Sequence, residues 1–456
     1  MRLFSLCLLG LDICHGKVIS DTPSLLQAAR EAQPGSVLEL AAGSYQLSQA
    51  LELPSGVTLK GAGMGKTIIT HVPEWKPDTK GLPDPETQVR KMDDKPFLIR
   101  LKRAAKNISI SHLTLHAPML HGALYGIANE HLHIHHVRVR DALASGLRFN
   151  AISHARIHDC EFIDAGGRWA NGEPGINGGI TGGGIFAVWM KDSEISHNRF
   201  TRTKEGKEHN YYGIKGRQGK RVRIHHNTIE VNFSIEFPFE NDQDVEIDHN
   251  ICAGTISIPK HAGGPVPESG RTFHIHHNYF RDTYAIEFVR NGVEISHNLF
   301  DFPTDRDHGN LISAFGKAPA KGPAIFHNNL VKNPGRGLIW MNEPYAHLTV
   351  RNNHIITNTT ATPRKDGLFG FNPNSDFSTF LFKENIIECS GLTRPLFRNE
   401  ASYRSQLEGN RLINVSDSDR FKTTQKAGLE APLKFTCGVR GEITVDGWTA
   451  KLTPKN

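Results

Sequence analysis

Two cations and two carboxylates lie near one another in the middle of the chain, in a pattern that suits acid–base chemistry on an acidic ligand. Lys215 and Arg217 belong to the segment YGIKGR, and Glu236 and Glu240 belong to the segment SIEFPFE. Lys215 is expected on a strand face that points to solvent, beside Arg217 and near Arg221. A lysine beside a second cation loses its proton more readily, and paired carboxylates can hold a cation. These groups together fit the removal of a weakly acidic proton next to a substrate carboxylate.

Further polar residues flank this set in the sequence and complete the predicted site. The residues predicted to take the proton are Lys215, Arg217 and Lys260. The residues predicted to bind the substrate are Tyr212, His261, Glu287 and Arg290. The residues predicted to hold calcium, an ion that prefers carboxylate oxygens, are Glu236 and Glu240. Long glycine-rich segments at 166–184 and 260–273 are expected to form the walls of the site.

A phrase of about eight residues recurs along the chain and predicts the scaffold that positions these groups. VRIHHNTI (222–229) returns as VEIDHNIC (245–252), FHIHHNYF (273–280) and VEISHNLF (293–300). Its asparagine anchors recur at intervals of roughly 20 to 40 residues, as the repeats of a solenoid do. The anchors read from the sequence are Asn198, Asn227, Asn250, Asn278, Asn298, Asn328, Asn353, Asn385 and Asn410.

A second short strand precedes each phrase, as in GLRFN (146–150), YGIKGR (212–217) and SIEFPF (234–239). Strand, turn, strand, bend and strand describe one coil of a parallel β-helix. Asparagine tolerates a left-handed bend, so the bend is expected at the anchor. We therefore predict an all-β, single-stranded right-handed parallel β-helix of roughly a dozen coils. The helical pattern at 24–33 is predicted to cap its open end.

The histidine before most anchors is predicted to be structural. It occurs at His136, His197, His226, His249, His277, His297 and His327. Stacked coils would align these side chains in a column at the inter-strand spacing of about 4.8 Å. A column along the molecule serves packing and hydrogen bonding, so we expect His226, His249 and His277 to bind no metal.

The rest of the sequence sets the predicted organisation and location. Residues 1–16 are interpreted as a signal peptide, 17–410 as the β-helix and 411–456 as a C-terminal cap. The signal peptide predicts a secreted or periplasmic protein, and no apolar run is long enough to span a membrane. We expect the protein to be a monomer. A nucleic-acid partner is not expected, because aromatic residues make up only 8% of the chain and Glu205 and Glu208 interrupt its basic stripe.

The N-terminal sequence LQAAREAQPGSVLELAAGSYQLSQALELPSGVTLKGAGMGKTII (26–69) resembles the opening of secreted right-handed β-helix carbohydrate enzymes, the pectate-lyase-like superfamily. The resemblance in pattern extends over about 24–410. The group nearest in kind contains chondroitinase B and alginate lyases, whose pattern is two glutamates and a lysine on one coil with an arginine on the next. This sequence departs from it, because the coil of Glu236 and Glu240 has no lysine and Arg290 lies two coils further on.

These observations predict a lyase that cleaves an acidic, uronate-containing polysaccharide of the alginate, pectate, glucuronan or glycosaminoglycan type by β-elimination. One alternative is a glycoside hydrolase on the same scaffold, with two of Glu236, Glu240 and Glu287 as its catalytic carboxyls. Others are a uronan epimerase, which shares the first proton abstraction, and a glycan-binding protein without catalysis. Unsaturated products would identify the lyase, whereas new reducing ends without unsaturation would identify the hydrolase.

Overall fold

Short strands joined by tight turns form the protein, which is described by a computed structural model. The structure describes residues 18–75, 96–169, 182–203, 209–237, 242–258, 270–281, 286–288, 292–303, 310–314, 320–335, 337–341, 345–357, 368–371, 381–390, 406–415, 435–437, 442–445 and 448–451. Within these residues no helix is long and apolar enough to cross a membrane.

One helix and many short strands follow one another along the chain. The N-terminal elements are α1 (Thr22–Glu31), β1 (Val37–Glu39), β2 (Gly43–Leu47), β3 (Leu51–Leu53), β4 (Thr58–Lys60), β5 (Thr67–His71), β6 (Phe97–Leu101), β7 (Lys106–His116), β8 (Gly122–Arg140), β9 (Ser145–Ser153), β10 (Arg156–His158), β11 (Glu161–Ile163) and β12 (Gly167–Trp169). The central strands are β13 (Ile185–Ala187), β14 (Met190–Ser196), β15 (Arg199–Thr201), β16 (His209–Gly216), β17 (Gly219–His225), β18 (Thr228–Glu230), β19 (Phe233–Glu236), β20 (Gln243–Asp248), β21 (Ile251–Cys252), β22 (Thr255–Ile258), β23 (Phe273–His276), β24 (Tyr279–Arg281), β25 (Ile286–Phe288), β26 (Val293–Ser296) and β27 (Leu299–Asp301). The C-terminal strands are β28 (Asn310–Ala314), β29 (Ala320–His327), β30 (Leu330–Lys332), β31 (Gly337–Met341), β32 (Tyr345–Arg351), β33 (His354–Thr357), β34 (Phe369–Phe371), β35 (Leu381–Lys383), β36 (Ile386–Cys389), β37 (Gln406–Glu408), β38 (Arg411–Ile413), β39 (Phe435–Cys437), β40 (Glu442–Val445) and β41 (Trp448–Lys451).

Successive coils stack their strands into three parallel ladders, and β7 and β8 bend from one ladder into another. Ladder A contains β1, β4, β7, β8, β10, β14, β17, β20, β23, β26, β29, β32, β35 and β37. Ladder B contains β2, β5, β7, β8, β11, β15, β18, β21, β24, β27, β30, β33, β36 and β38. Ladder C contains β3, β6, β8, β9, β13, β16, β19, β22, β25, β28, β31 and β34. This arrangement is the predicted parallel β-helix.

Alternation along each strand places apolar side chains inside the coil. Ile224 of β17 pairs in register with Ile247 of β20, which pairs with Ile275 of β23. All three side chains are buried, with relative exposures of 0%. Because neighbouring strands of a ladder are about 4.8 Å apart, similar residues of successive coils contact each other and form one continuous core.

The bend between ladders A and B depends on two adjacent residues with different tasks. His226 and His249 adopt the left-handed backbone conformation, with φ angles of 55° and 54°. The asparagine that follows is buried: Asn250 Oδ1 accepts hydrogen bonds from the backbone (3.0 Å) and side-chain (2.9 Å) amides of Asn227, and its Nδ2 donates to the Ile224 carbonyl (2.9 Å). The prediction that asparagine makes the bend was wrong by one residue, because its amide group is committed to these bonds.

The predicted asparagine ladder is present, with one correction. Its members are Asn198, Asn227, Asn250, Asn278, Asn298, Asn329, Asn353, Asn385 and Asn410. The sequence HNN at 327–329 fits the phrase in two ways, and the structure places Asn328 at the bend (φ 53°) and Asn329 in the ladder. His327 therefore lies on ladder A, 3.1 Å from Glu294 Oε1, instead of in the histidine column.

The other histidines at the bend stack as predicted. The ring centroid of His226 lies 5.1 Å from that of His197 and 4.9 Å from that of His249. The column continues through His277 at 5.2 Å and His297 at 5.1 Å. Their rings are nearly parallel, within 10° in each pair. The left-handed backbone directs all of these side chains to the same side of the stacked coils.

Helix α1 begins two residues earlier than predicted and lies against the first coil. Asp21 caps its N-terminus by accepting a hydrogen bond from the Ser24 amide at 2.8 Å. Leu25 and Ala29 are buried and belong to the core that the first strands form. At the other end of the chain, β39, β40 and β41 form a separate three-stranded antiparallel sheet within the predicted C-terminal cap.

Candidate functional site

The predicted site lies on ladder C, where the side chains that point away from the core form a single row. The residues between the inward apolar ones are aligned in register from coil to coil. In order, the row is Arg100, Tyr125, Arg148, Phe186, Lys215, Glu236 and Ser257, and the backbone positions of Glu287, Ser313 and Trp340 continue the same register. Cations and aromatic rings alternate over its first half, and Glu236 is the carboxylate that follows them.

The centre of the row is a buried ion pair between neighbouring coils. Lys215 Nζ lies 2.7 Å from Glu236 Oε2, and the two side chains are 1% and 14% exposed. The ammonium also lies 4.9 Å from the centroid of the Tyr212 ring and 5.6 Å from that of Phe186. Tyr212 in turn stacks on Phe233 of the next coil at 4.5 Å. Aromatic faces stabilise a cation, so Lys215 is enclosed by groups that favour a charge at this position.

Arg148, which sequence reasoning missed, is the second buried cation of the row. Its side chain is fully buried, and its Cζ atom lies 3.7 Å from the centroid of the Phe186 ring. Phe186 thus contacts both Arg148 and Lys215, one coil on either side. The signal was present in the sequence, because GLRFN places Arg148 at the same outward strand position that Lys215 has in YGIKGR.

The first part of the row continues this pattern toward the N-terminus. The rings of Phe97 and Tyr125 stack at 4.9 Å, and the guanidinium of Arg100 lies 5.2 Å from the Tyr125 centroid. Asn150 donates a hydrogen bond of 3.0 Å to the Tyr125 hydroxyl. These contacts hold the aromatic rings in fixed positions beside the cations.

The structure corrects two features of the predicted cluster. The face was expected to be exposed, but Lys215 is 1% exposed because aromatic groups and Glu236 pack around it. Arg217 is 9% exposed and lies just beyond the end of β16 at Gly216, where its backbone amide donates to the Ala187 carbonyl at 2.9 Å. Arg221, expected near Lys215, lies instead on ladder A in β17, where its Nη2 contacts Asp192 Oδ2 at 2.8 Å.

The remaining predicted residues divide into one that the structure places and four that lie outside the described residues. Glu287 occupies the same row as Glu236, with Ser257 of the intervening coil between them. Its backbone is therefore two inter-strand spacings from that of Glu236, roughly 9.6 Å. The residues outside the described part of the chain are Glu240, Lys260, His261 and Arg290.

A surface cavity of about 670 Å³ lies elsewhere, on the outer face of ladder A. Arg156, Asp192, Glu194 and Arg221 are among the residues that line it. Its charges largely pair with one another. The hydrogen bond from Arg221 lowers the pKa of Asp192, and Glu194 contacts His225 Nε2 at 3.1 Å. An acidic ligand would have to compete with these internal carboxylates, so the cavity suits a polyanion less well than the row on ladder C does.

The three ladders, the asparagine ladder and the polar outer row define the class of protein, a parallel β-helix. Residues 122–300 match the family described as "Right handed beta helix region". The chain is a right-handed parallel β-helix protein, which confirms the predicted fold and the predicted relation to β-helix proteins. No curated protein matches the sequence.

Solved structures of this fold overlay most of the chain at low sequence identity. PfbA, a surface adhesin of Streptococcus pneumoniae, is 10% identical over 95% of this chain and 94% of that chain, with a TM-score of 0.51. The tailspike protein of E. coli bacteriophage HK620, in complex with a pentasaccharide, is 10% identical over 86% and 74%, with a TM-score of 0.53. The PL6 family alginate lyase AlyGC is 11% identical over 94% and 55%, with a TM-score of 0.46. At these identities the likeness concerns the fold alone.

Proposed function

We propose that the protein is a polysaccharide lyase that cleaves an acidic, uronate-containing polysaccharide by β-elimination. The observation that carries the proposal is the buried pair of Lys215 and Glu236 within a row that also contains Arg148. A buried ion pair costs desolvation energy that an apolar pair of similar volume avoids, so a buried pair at this position favours a functional role over a purely structural one. Acid–base chemistry on an anionic substrate is a role that needs such a pair.

Elimination requires a base that removes the proton on the carbon next to the uronate carboxylate. It also requires a positive charge that neutralises this carboxylate. Transfer of one proton from Lys215 to Glu236 across 2.7 Å gives a neutral amine beside a carboxylic acid. The amine takes the substrate proton, the C–H electrons form the double bond, and the bond to the glycosidic oxygen breaks. That oxygen receives the proton from the Lys215 ammonium.

Arg217 supplies the charge that holds the substrate carboxylate in this proposal. It follows Lys215 by two residues, just beyond the end of β16 at Gly216. Tyr212 is 4% exposed and lies between the ammonium and Phe233, so its ring holds Lys215 in position. Arg148 adds positive potential from its buried position behind Phe186. Together these groups favour the negative charge that develops on the substrate when the proton is removed.

A panel of acidic glycans tests the proposal and identifies the substrate. The protein is incubated with alginate, pectate, glucuronan and glycosaminoglycans, and ultraviolet absorbance of an unsaturated product is followed. We expect absorbance with one of these glycans. New reducing ends without absorbance would contradict the lyase and favour the hydrolase.

A set of three variants separates catalysis from a structural ion pair. Lys215→Met leaves the Glu236 carboxylate without its cation, whereas Lys215→Met combined with Glu236→Gln leaves a neutral pair of similar size. We expect the double variant to unfold near the wild-type temperature and to lose at least about a hundredfold in turnover. Lys220→Met, at an exposed lysine of β17, should keep full turnover. Near-normal turnover in the folded double variant would show that the pair is structural.

Calcium is not needed for this mechanism. Within the described residues, no group with metal-ligand spacing includes Glu236, and its Oε2 already contacts Lys215. Calcium takes six to eight oxygen ligands, and Glu240, the other predicted ligand, lies outside the described residues. We expect turnover to persist after treatment with EDTA. Loss of turnover that added calcium restores would support a calcium ion at Glu236 and Glu240 in place of Arg217.

We also propose that the protein acts outside the cytoplasm, where its polymeric substrate is accessible. Residues 1–16, the proposed signal peptide, lie outside the described residues. N-terminal sequencing of the protein recovered from the periplasm or medium should begin after this segment, whereas an intact N-terminus in the cytoplasm would contradict the proposal.

A further inference from the structure

A group of two histidines and two glutamates lies on the outer face of ladder A, on strands that do not carry the proposed active site. Glu246 of β20 pairs in register with His274 of β23, and His274 pairs with Glu294 of β26. His276 lies two residues beyond His274 on the same face of β23. Three successive coils thus bring carboxylates to both sides of a histidine pair.

The donor atoms of this group approach one another closely. His276 Nε2 lies 3.0 Å from Glu246 Oε1, and the rings of His274 and His276 have centroids 4.0 Å apart. One donor atom from each of Glu246, His274 and His276 lies within 4.8 Å of the other two. His274 Nε2 is also 3.7 Å from Glu294 Oε1. Donors around a tetrahedral zinc ion are about 3.3 Å apart, so small side-chain rotations would complete the geometry.

We propose that Glu246, His274 and His276 bind one divalent ion of the zinc class, with Glu294 or water as the fourth ligand. Two imidazoles and a carboxylate form a donor set that zinc and its neighbours in the first transition row accept. Calcium and magnesium prefer sets made of oxygen alone. The site is independent of the proposed lyase chemistry, because its residues belong to ladder A.

Neighbouring groups already orient the four side chains as outer-shell partners do in metal sites. His276 Nδ1 lies 2.8 Å from His277 Nδ1, which directs Nε2 of His276 toward Glu246. Arg223 lies 3.6 Å from Glu246 Oε2 and Arg271 lies 3.5 Å from Glu294 Oε2. In both glutamates Oε1 is the oxygen that faces a histidine. The Arg271 guanidinium also contacts His274 Nδ1 at 3.1 Å.

A bound ion would connect β20 to β23 and, through Glu294, to β26. Because each coil of a solenoid contacts only its neighbours, such a link should stabilise the middle of the molecule.

Zinc titration of the full-length, tag-free protein tests the site, after prior removal of metal with a chelator. We expect isothermal titration calorimetry to show one ion per chain and zinc to raise the melting temperature. His274→Gln and His276→Gln should each weaken binding at least about tenfold and remove the rise in melting temperature. His225→Gln is the matched control: His225 occupies the same position in its coil and contacts Glu194 Oε1 at 3.1 Å, but Arg223 replaces the second histidine.

X-ray absorption of the zinc-loaded wild-type protein gives a second measurement that requires no variant. The proposal predicts two imidazoles and at least one carboxylate oxygen around the ion. Absence of stoichiometric binding would overturn the proposal. So would fewer than two imidazoles, or equal loss of binding in His225→Gln and His276→Gln, since either result would place zinc on other histidines.

Discussion

His226 illustrates how one residue type serves two purposes at the bend between ladders. Its φ of 55° places the side chain in the column, where it stacks on His197 and His249. Burial, and then the neighbouring imidazoles of His225 and His249, lower its pKa to about 4. The folded protein therefore keeps this ring neutral at a pH where an exposed histidine would be charged.

The lowered pKa makes stability depend on pH in a defined direction. The unfolded chain takes up a proton at His226 near pH 6.5, whereas the folded protein takes it up only near pH 4. The contribution of His226 to the free energy of unfolding is fully present above about pH 6.5 and is lost as the pH falls toward 4. We expect His226→Asn to lose less stability than wild type between pH 7 and pH 5 in urea denaturation.

Asparagine is a suitable replacement at this position because Asn328 adopts the same left-handed conformation at a later bend, with φ 53°. The fold and turnover of His226→Asn should therefore be preserved. Equal loss of stability in the variant and the wild type over this pH range would show that the ring does not remain neutral. We also expect His249→Asn to change stability more than turnover, because His249 belongs to the same column and contacts Asp248 at 2.8 Å.

At the scale of elements, the asparagine ladder joins ladder A to ladder B on every coil that carries it. Asn250 shows the pattern: its Nδ2 donates to carbonyls of its own and the preceding coil, and its Oδ1 accepts two hydrogen bonds. These bonds satisfy backbone groups that the bend removes from the strand ladders. Buried polar groups without such partners cost about 1–3 kcal/mol each, so the ladder is a major reason why the bends are regular.

Replacement of an interior member should cost more than replacement of the last one. Asn250→Ala removes bonds to Asn227, Ile224, Asp248 and Asn278, and we expect it to lower the free energy of unfolding by roughly 3 kcal/mol or more.

Asn410→Ala is the control, because Asn410 accepts from Asn385 and donates to Phe382, and among the described residues no further asparagine continues the ladder beyond it. Urea denaturation of both variants gives the comparison. Equal destabilisation would mean that the cavity left by the side chain, and not the hydrogen bonds, dominates the cost.

At the scale of the whole molecule, the solenoid has two ends whose strands would pair with other chains if they were exposed. Helix α1 packs against β1, β2 and β3, the strands of the first coil. Leu25 supplies the fully buried contact on its inner face. The expectation that the protein is a monomer depends on such covering.

Loss of this contact should therefore cause self-association. We expect Leu25→Asp to lower the melting temperature and to form concentration-dependent oligomers in size-exclusion chromatography with light scattering, because a buried charge displaces the helix. Gln27→Asp, on the exposed face of the same helix, should behave as wild type. A monomeric, stable Leu25→Asp protein would show that the helix is not needed to cover this end.

The sequence alone was sufficient for the fold, because the information for one coil recurs within each repeat. Alternating apolar residues predicted the strands, and the anchor asparagines predicted the ladder. The capping helix was predicted to within two residues of its start. The errors were local ones: HNN at 327–329 fits the phrase in two ways, and nothing within one coil shows whether histidine or asparagine takes the left-handed turn.

Only the tertiary structure decided which side chains meet. Intervals between anchors vary, from 20 residues between Asn278 and Asn298 to 32 between Asn353 and Asn385, so counting residues does not predict which outward side chains become neighbours. The predicted neighbours Lys215 and Glu236 do pair, but their burial and the contribution of Arg148 depend on stacked rings from other coils. The group of Glu246, His274 and His276 likewise exists only once β20 and β23 are in register. A strand's inward face is set by its own sequence, whereas its outward contacts are set by the coil that lies beside it.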